Sequence, residues 1–267
     1  MKSCKIAVAS TFSPRFLSVL AEAARLAKGF EGSLHIIHAA EQTAEKETRF
    51  REGFATVGLP ENTPVFWVNA STPMEAILSA VEHQGIEILI AGALEREPEH
   101  RNFTGNVARN LLLKCHCDLV LLTRPEKTSL SVARIALAID LMDPDLEWLG
   151  RALTIAHREG QPLLNVFSIV TPFDKLRDNV TSDSPADLEA RMEAMVKEAG
   201  GYKGEIDYRV IISNTGFNAC EVIQALEPNL LLARRSKGAH DELSLPTHMD
   251  WLPQVIPANA MIFAVKQ

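Results

Sequence analysis

The chain has 267 residues, 46% of them hydrophobic and 23% charged, with a net charge of −7 and a pI near 5.7. These proportions are those of a soluble globular protein, and the length suits one large domain or two ordinary ones. An acidic balance gives no field that would draw in nucleic acid. No apolar run reaches the ~18–20 residues of a membrane span, and the N-terminal MKSCKIAVAST lacks the apolar core of a secretory signal.

Taken in chain order, residues 1–123 alternate short apolar runs with longer amphipathic ones. Runs at 6–10, 34–39, 64–68, 86–91 and 119–123 read as five buried strands. Helical patterns at 14–28, 43–57, 72–84 and 105–114 lie between them. Ser13 is placed to cap the first helix, Pro14 to open it and Lys28-Gly29 to close it. The polar stretch RPEKTSLS at 124–131 then interrupts the pattern and reads as a linker.

Beyond the linker the pattern returns. RIALAID at 134–140 repeats KIAVAST at 5–11 with an offset of 129, which also carries Leu17, Leu20, Ala24 and Ala27 onto Leu146, Leu149, Leu153 and Ala156. Near the end of each half the offset becomes 142, matching 87–91 to 229–233 and 119–122 to 261–264. The difference of 13 is an insertion in the middle of the second half. Asp143-Pro144 repeats the start of the first helix and Glu159-Gly160 its end.

Strands separated by helix-length crossovers call for a parallel sheet covered on both faces. The fold class is therefore α/β: two tandem doubly wound domains, residues 1–125 and 132–267, each an open five-stranded parallel sheet with helices on both faces.

In such a sheet, ligands bind beyond the carboxyl ends of the strands, where the strand order reverses. After the fourth strand the first half reads Gly92-Ala93-Leu94-Glu95, nine more residues, then Gly105-Asn106-Val107. A glycine closing a strand and another opening a helix can cradle a phosphate, because the first turn of a helix offers free N–H groups.

This pattern resembles the universal stress protein family, whose nucleotide-binding members carry Gly-x2-Gly-x9-Gly-(Ser/Thr) here and an aspartate closing the first strand. The resemblance covers the chain twice and implies an adenine nucleotide alpha hydrolase-like fold in a tandem, stress-response regulatory or protective protein. Gly92, Gly105 and Val107 match the loop, whereas Glu95 replaces the middle glycine, Asn106 the hydroxyl residue and Thr11 the aspartate. Ser10 or Thr11 could still offer a hydroxyl. In the second half Asp140 holds the aspartate position, but Arg234, Lys237, Thr247 and His248 stand at the four loop positions.

The candidate nucleotide-binding residues are thus Thr11, Gly92, Gly105, Asn106, Val107 and Asp140, in sites that are degenerate in both halves. Each has a plainer reading. Gly92 and Gly105 suit a turn and a helix start, Asp140 a cap on the turn into the next helix, and Arg234–Lys237 a solvated loop or a side-chain phosphate contact. ATP is the cofactor that the resemblance offers, and an ATP-binding switch using the first-half glycine loop is the alternative to a module with degenerate sites.

No nucleophile–base pair, HExxH or Walker sequence is present, so a binding protein is expected rather than an enzyme. An adenylyl transferase ranks last, since the turn at 10–14 holds neither histidine nor lysine. An apolar ligand under a lid formed by the insertion at 173–195 is a further reading.

Cys4, Cys115, Cys117 and Cys220 form no disulfide framework or CxxC pair, which points to a reducing, cytoplasmic setting. Cys115-His116-Cys117 lacks a fourth ligand for zinc, so no metal is expected. The expected partners are the two halves themselves, paired about a pseudo-twofold axis through their last strands, with a homodimer and a small-molecule ligand left open. No nucleic acid or membrane is expected.

Overall fold

The computed structural model describes residues 4–93, 105–123, 125, 134–171, 184–213, 216–237, 243–245, 249, 251–256 and 258–264. The chain divides into two compact units, Met1–Leu130 and Ser131–Gln267.

In the first unit the described elements are β1 (Lys5–Ala9), α1 (Phe16–Gly29), β2 (Ser33–His38), α2 (Ala44–Val57), β3 (Val65–Trp67), α3 (Pro73–Gln84), β4 (Ile88–Gly92), α4 (Asn106–Lys114) and β5 (Asp118–Leu122). Their strands pair in parallel in the order β3-β2-β1-β4-β5. The order reverses between β1 and β4. Crossovers of one hand then send successive helices to opposite faces on either side of that point. Accordingly α1 packs beside α2, and α3 beside α4.

In the second unit the main elements are β6 (Ile135–Ala138), α5 (Leu146–Arg158), β7 (Leu163–Val170), α6 (Pro185–Glu198), β8 (Glu205–Ile212), α7 (Gly216–Leu226) and β9 (Leu230–Arg234). A short antiparallel pair, β10 (Ser236–Lys237) and β11 (Leu243–Ser244), follows, and then β12 (Asn259–Phe263). The parallel order is β12-β9-β6-β7-β8, with its reversal between β6 and β9.

Strands flanked by helices on both faces have no solvated side, so their residues read as continuous apolar runs. The central strands obey this: Ile6, Ala7 and Val8 of β1, and Leu89 and Ile90 of β4, are fully buried. On one side of the first sheet the core is aromatic. Phe50 of α2 contacts Phe12, Phe16, His38 and Trp67, with ring centroids 4.7–5.6 Å apart. Close packing of α1 on α2 depends on Gly53, since a Cβ there would lie 2.7 Å from the Phe16 ring.

Helix starts follow side-chain chemistry. Thr43 and Thr72 cap α2 and α3 by accepting from the N–H of Lys46 and Glu75, and Ser184 forms a reciprocal capping box with Asp187. Two expected starts are corrected. The first helix begins at Phe16 with Arg15 as its cap residue, and Ser13 instead closes a turn by accepting from Phe16 N–H. In α5 the cap is Asp145, not Asp143, because it is Asp145 Oδ1 that accepts from Trp148 N–H at 2.9 Å.

The insertion is corrected in part. Residues 185–198 form α6, packed on α5 and β8 as a crossover helix of the fold, so this stretch is no lid. Residues 173–183 lie outside the described residues.

Candidate functional site

Both reversal points can be compared directly, since each lies at the carboxyl ends of two adjacent strands. In the first unit they frame a cavity of about 300 Å³, at the lower end of ligand-pocket sizes. Its floor is Ala9, Ser10 and Thr11 after β1 and Ala91, Gly92 and Ala93 after β4. Apolar walls come from Phe16 and Val19 of α1, Ile37 and Ala39 at the end of β2, Ile77 of α3 and Val107 of α4.

The candidate residues of this half fall as follows. Thr11 lines the cavity and is exposed. Gly92 lines it too, and a Cβ added there would meet nothing within 4 Å. Gly105 is the buried cap residue of α4, its N–H donating to Ala93 O at 2.8 Å, so the two ends of the loop are tied together. It has φ −62° and ψ 153° and brings no side-chain cap to the helix. Val107 reaches the cavity, whereas the Asn106 side chain turns along α4 to accept from Asn110 Nδ2 at 3.2 Å. Glu95 lies outside the described residues.

Sequence reasoning missed Arg15. Expected inside the first helix, it instead lines the cavity, with one guanidinium nitrogen donating to Thr123 O at 3.1 Å. The shift of the helix start by two residues moves Arg15 to the sheet edge, and periodicity alone resolves starts no better than that.

Behind this floor sits His38. It is buried in the aromatic cluster and its Nδ1–H donates to Ser10 O at 2.9 Å. Burial holds its pKa below the ordinary histidine value, against the raising effect of that bond, with the Lys46 charge adding a smaller lowering.

The second unit is closed at the equivalent place. Its cleft amounts to about 10 Å³, about what a single water needs. Trp148, Met195 and Met249 crowd it, and Arg234 crosses it to pair with Asp143 and, at 3.1 Å, with Asp145. Asp140 Oδ1 accepts from the N–H groups of Met142 and Asp143, capping the turn.

The basic run is not a solvated loop here. Arg234 is ion-paired, Arg235 is fully buried and Ser236 Oγ lies 3.2 Å from Ser244 Oγ. The side chain of Lys237, and Thr247 and His248 altogether, lie outside the described residues. Arg234 is thus committed to Asp143 and Asp145, and the cleft that it crosses has no room for a ligand.

Cys115 and Cys117 are buried with sulfurs 3.4 Å apart. No group of three or more potential metal ligands occurs among the described residues. Nor does any described helix have the length and apolarity to cross a membrane.

No family profile and no curated protein matches the chain. Solved structures do. A provisionally assigned universal stress protein from Pseudomonas aeruginosa UCBPP-PA14 superposes with a TM-score of 0.68 at 13% identity, over 97% of this chain and 92% of that one. A universal stress protein from Archaeoglobus fulgidus DSM 4304 gives 0.65 at 12%, over 99% of both chains. The chain has the universal stress protein fold.

A functionally unknown protein from Pseudomonas aeruginosa PAO1 shares that fold as well, with a TM-score of 0.67 at 14% identity over 97% of this chain and 92% of that one. Whole-length coverage means that the universal stress fold accounts for both units together. At such identities the likeness concerns architecture, and chemistry has to be read from the site.

Proposed function

We propose that the chain is a tandem member of the universal stress protein family that acts as a non-catalytic binding module with a single ligand site, in its first half. The observation that carries this reading is the contrast between the two reversal points: about 300 Å³ of open cavity in one half and about 10 Å³ in the other. Two degenerate copies have diverged, one keeping room for a ligand and the other filling that room with its own side chains.

The residues of the first half suit the anionic end of a nucleotide. Gly92 leaves the floor without a side chain, and the first turn of α4 carries N–H groups that Gly105 leaves uncapped. ATP or ADP would be held there by Ser10, Thr11, Val107 N–H and Arg15. Closure of the second half by Arg234, Asp143 and Asp145 implies one ligand per chain. The described lining of the cavity offers no nucleophile with an adjacent base, which supports binding rather than turnover.

A cytoplasmic location, and pairing of the halves through their last strands, belong to the same proposal. They rest on the thiol usage and on the apolar composition of Asp118–Leu122 and Asn259–Phe263.

The test is calorimetry with ATP and ADP on the nucleotide-stripped chain beside Gly105→Asp. Aspartate is a favoured helix cap and the backbone angles at 105 accept it, and a melting curve beside the parent checks that the variant folds. Its carboxylate would occupy the N–H groups and repel a phosphate. Binding at a stoichiometry near one, lost in the variant, supports the proposal; two equivalent sites, or binding unchanged by the substitution, refutes it.

A further inference from the structure

The outer strand of the second sheet, β8, runs eight residues and pairs with β7 through all of them, and no second strand joins it among the described residues. Its counterpart in the first sheet, β3, has only three. A long edge strand presents a row of backbone N–H and C=O groups, and proteins ordinarily shorten or interrupt such edges. Within Glu205–Ile212 there is no proline, glycine or lysine to interrupt this one.

The ladder fixes which residues turn outward. Glu205 N–H donates to Pro162 O and Ser213 N–H to Val170 O, so the odd-numbered residues bond to β7. Ile206, Tyr208, Val210 and Ile212 therefore turn their N–H and C=O groups to the outer edge. Asp207 and Arg209 project from one face of the strand, ion-paired to each other at 2.6 Å, with side chains 35% and 49% exposed.

We infer that β8 is a homodimer interface, pairing antiparallel with β8 of a second copy about a twofold axis at Tyr208. A twofold contact must be self-complementary, and the outward groups allow only a few registers. Centring on Tyr208 sets Asp207 of each copy across from Arg209 of the other, in the pairs whose side chains come closest. Ile206 then meets Val210, and about six backbone hydrogen bonds close the edge. Centring on Ile206 sets Glu205 across from Asp207, and centring on Asp207 or Arg209 sets that charge against itself. Centring on Val210 leaves both charges without a counterpart. Charges on an edge usually prevent pairing; here their opposite signs, two residues apart, select one register of it. The cavity of the first half plays no part in this contact.

The experiment is sedimentation equilibrium on the full chain over about 1–200 μM, with Asp207→Arg, Arg209→Asp, the double variant and an equimolar mixture of the two single variants. The parent should approach twice the 29.4 kDa mass of the chain. Each single variant sets two like-charge pairs across the axis, so its dimer should weaken by at least about tenfold. In the double variant and in the mixture every such pair is again of opposite sign, and affinity should return to within about threefold of the parent's.

A parent that keeps the mass of one chain throughout overturns the inference. So does an assembly that neither single variant weakens, because its interface then lies elsewhere. Loss in the single variants without recovery in the mixture and the double variant overturns the register, and the inference with it. Should a single variant fail to fold, Val210→Pro takes its place: it removes an outward N–H and spares the ladder to β7. That variant should weaken the dimer by at least about tenfold, and an unchanged dimer overturns the inference.

Discussion

Replacing Gly92 separates a cavity wall from a turn. Gly92 ends β4, paired in register with Leu122 of β5, and its φ lies outside the left-handed region that favours glycine. A Cβ there would collide with nothing. Neither backbone conformation nor packing therefore demands glycine, and alanine should stabilise by about 0.4–1 kcal/mol, chiefly through the entropy of the unfolded chain. With a urea slope of ~2 kcal/mol per molar, the first-half midpoint should rise by roughly 0.2–0.5 M. The same methyl group would enter the cavity floor where a ligand approaches the backbone, so ATP affinity should fall by about tenfold, and further for Gly92→Val. Urea unfolding and calorimetry on the same preparations give both numbers. A midpoint that drops by the equivalent of more than about 1 kcal/mol would show that glycine serves the backbone after all. Affinity untouched by both substitutions would remove Gly92 from the site.

Other outcomes follow from the same geometry. Arg234→Met should destabilise the second half by about 1–2 kcal/mol, because Asp143 and Asp145 lose their cation; their own exposure keeps the loss below that of a fully buried pair. Urea unfolding measures it, and the number of ATP sites should stay at one. Phe50→Ala should cost about 3–5 kcal/mol, since the ring is fully buried at the centre of the aromatic cluster. A loss under 1 kcal/mol would mean that the cluster repacks.

Burial holds both His35 and His38 below the ordinary histidine value, with Lys5 and Lys46 contributing secondarily. The folded chain then binds fewer protons than the unfolded one below pH 6.5, so the stability that these two groups contribute is complete above that pH and declines as pH falls below it. The His35→Gln, His38→Gln double variant should flatten this slope in melting curves taken across that range. Asp140→Ala should lower stability by about 0.5–1 kcal/mol through loss of the turn cap, and leave ATP affinity at the parent value.

Hydrophobic patterning alone determined the architecture. Continuous apolar runs such as KIAVA and ILIAG arise only where a strand is covered on both faces, and helix-length crossovers then compel parallel order. The repeat of that pattern announced a second unit built like the first, and Thr43 and Thr72 announced their helices through local cap chemistry.

What patterning could not reach is how much room each half leaves at its reversal point. The second half keeps the aspartate expected at the end of the first strand but none of the four loop residues, whereas the first half keeps Gly92 and Gly105 without the aspartate. Only the tertiary structure brings Arg234 across the cleft to Asp143 and Asp145, residues some ninety positions earlier, and seats Met249 beside them. Likewise only the folded chain brings Arg15 and Ser10 onto one cavity. Local sequence encodes periodicity and caps, which act over a few residues. A cavity is the space left between elements that are distant in the chain, so its volume and charge are set by packing alone.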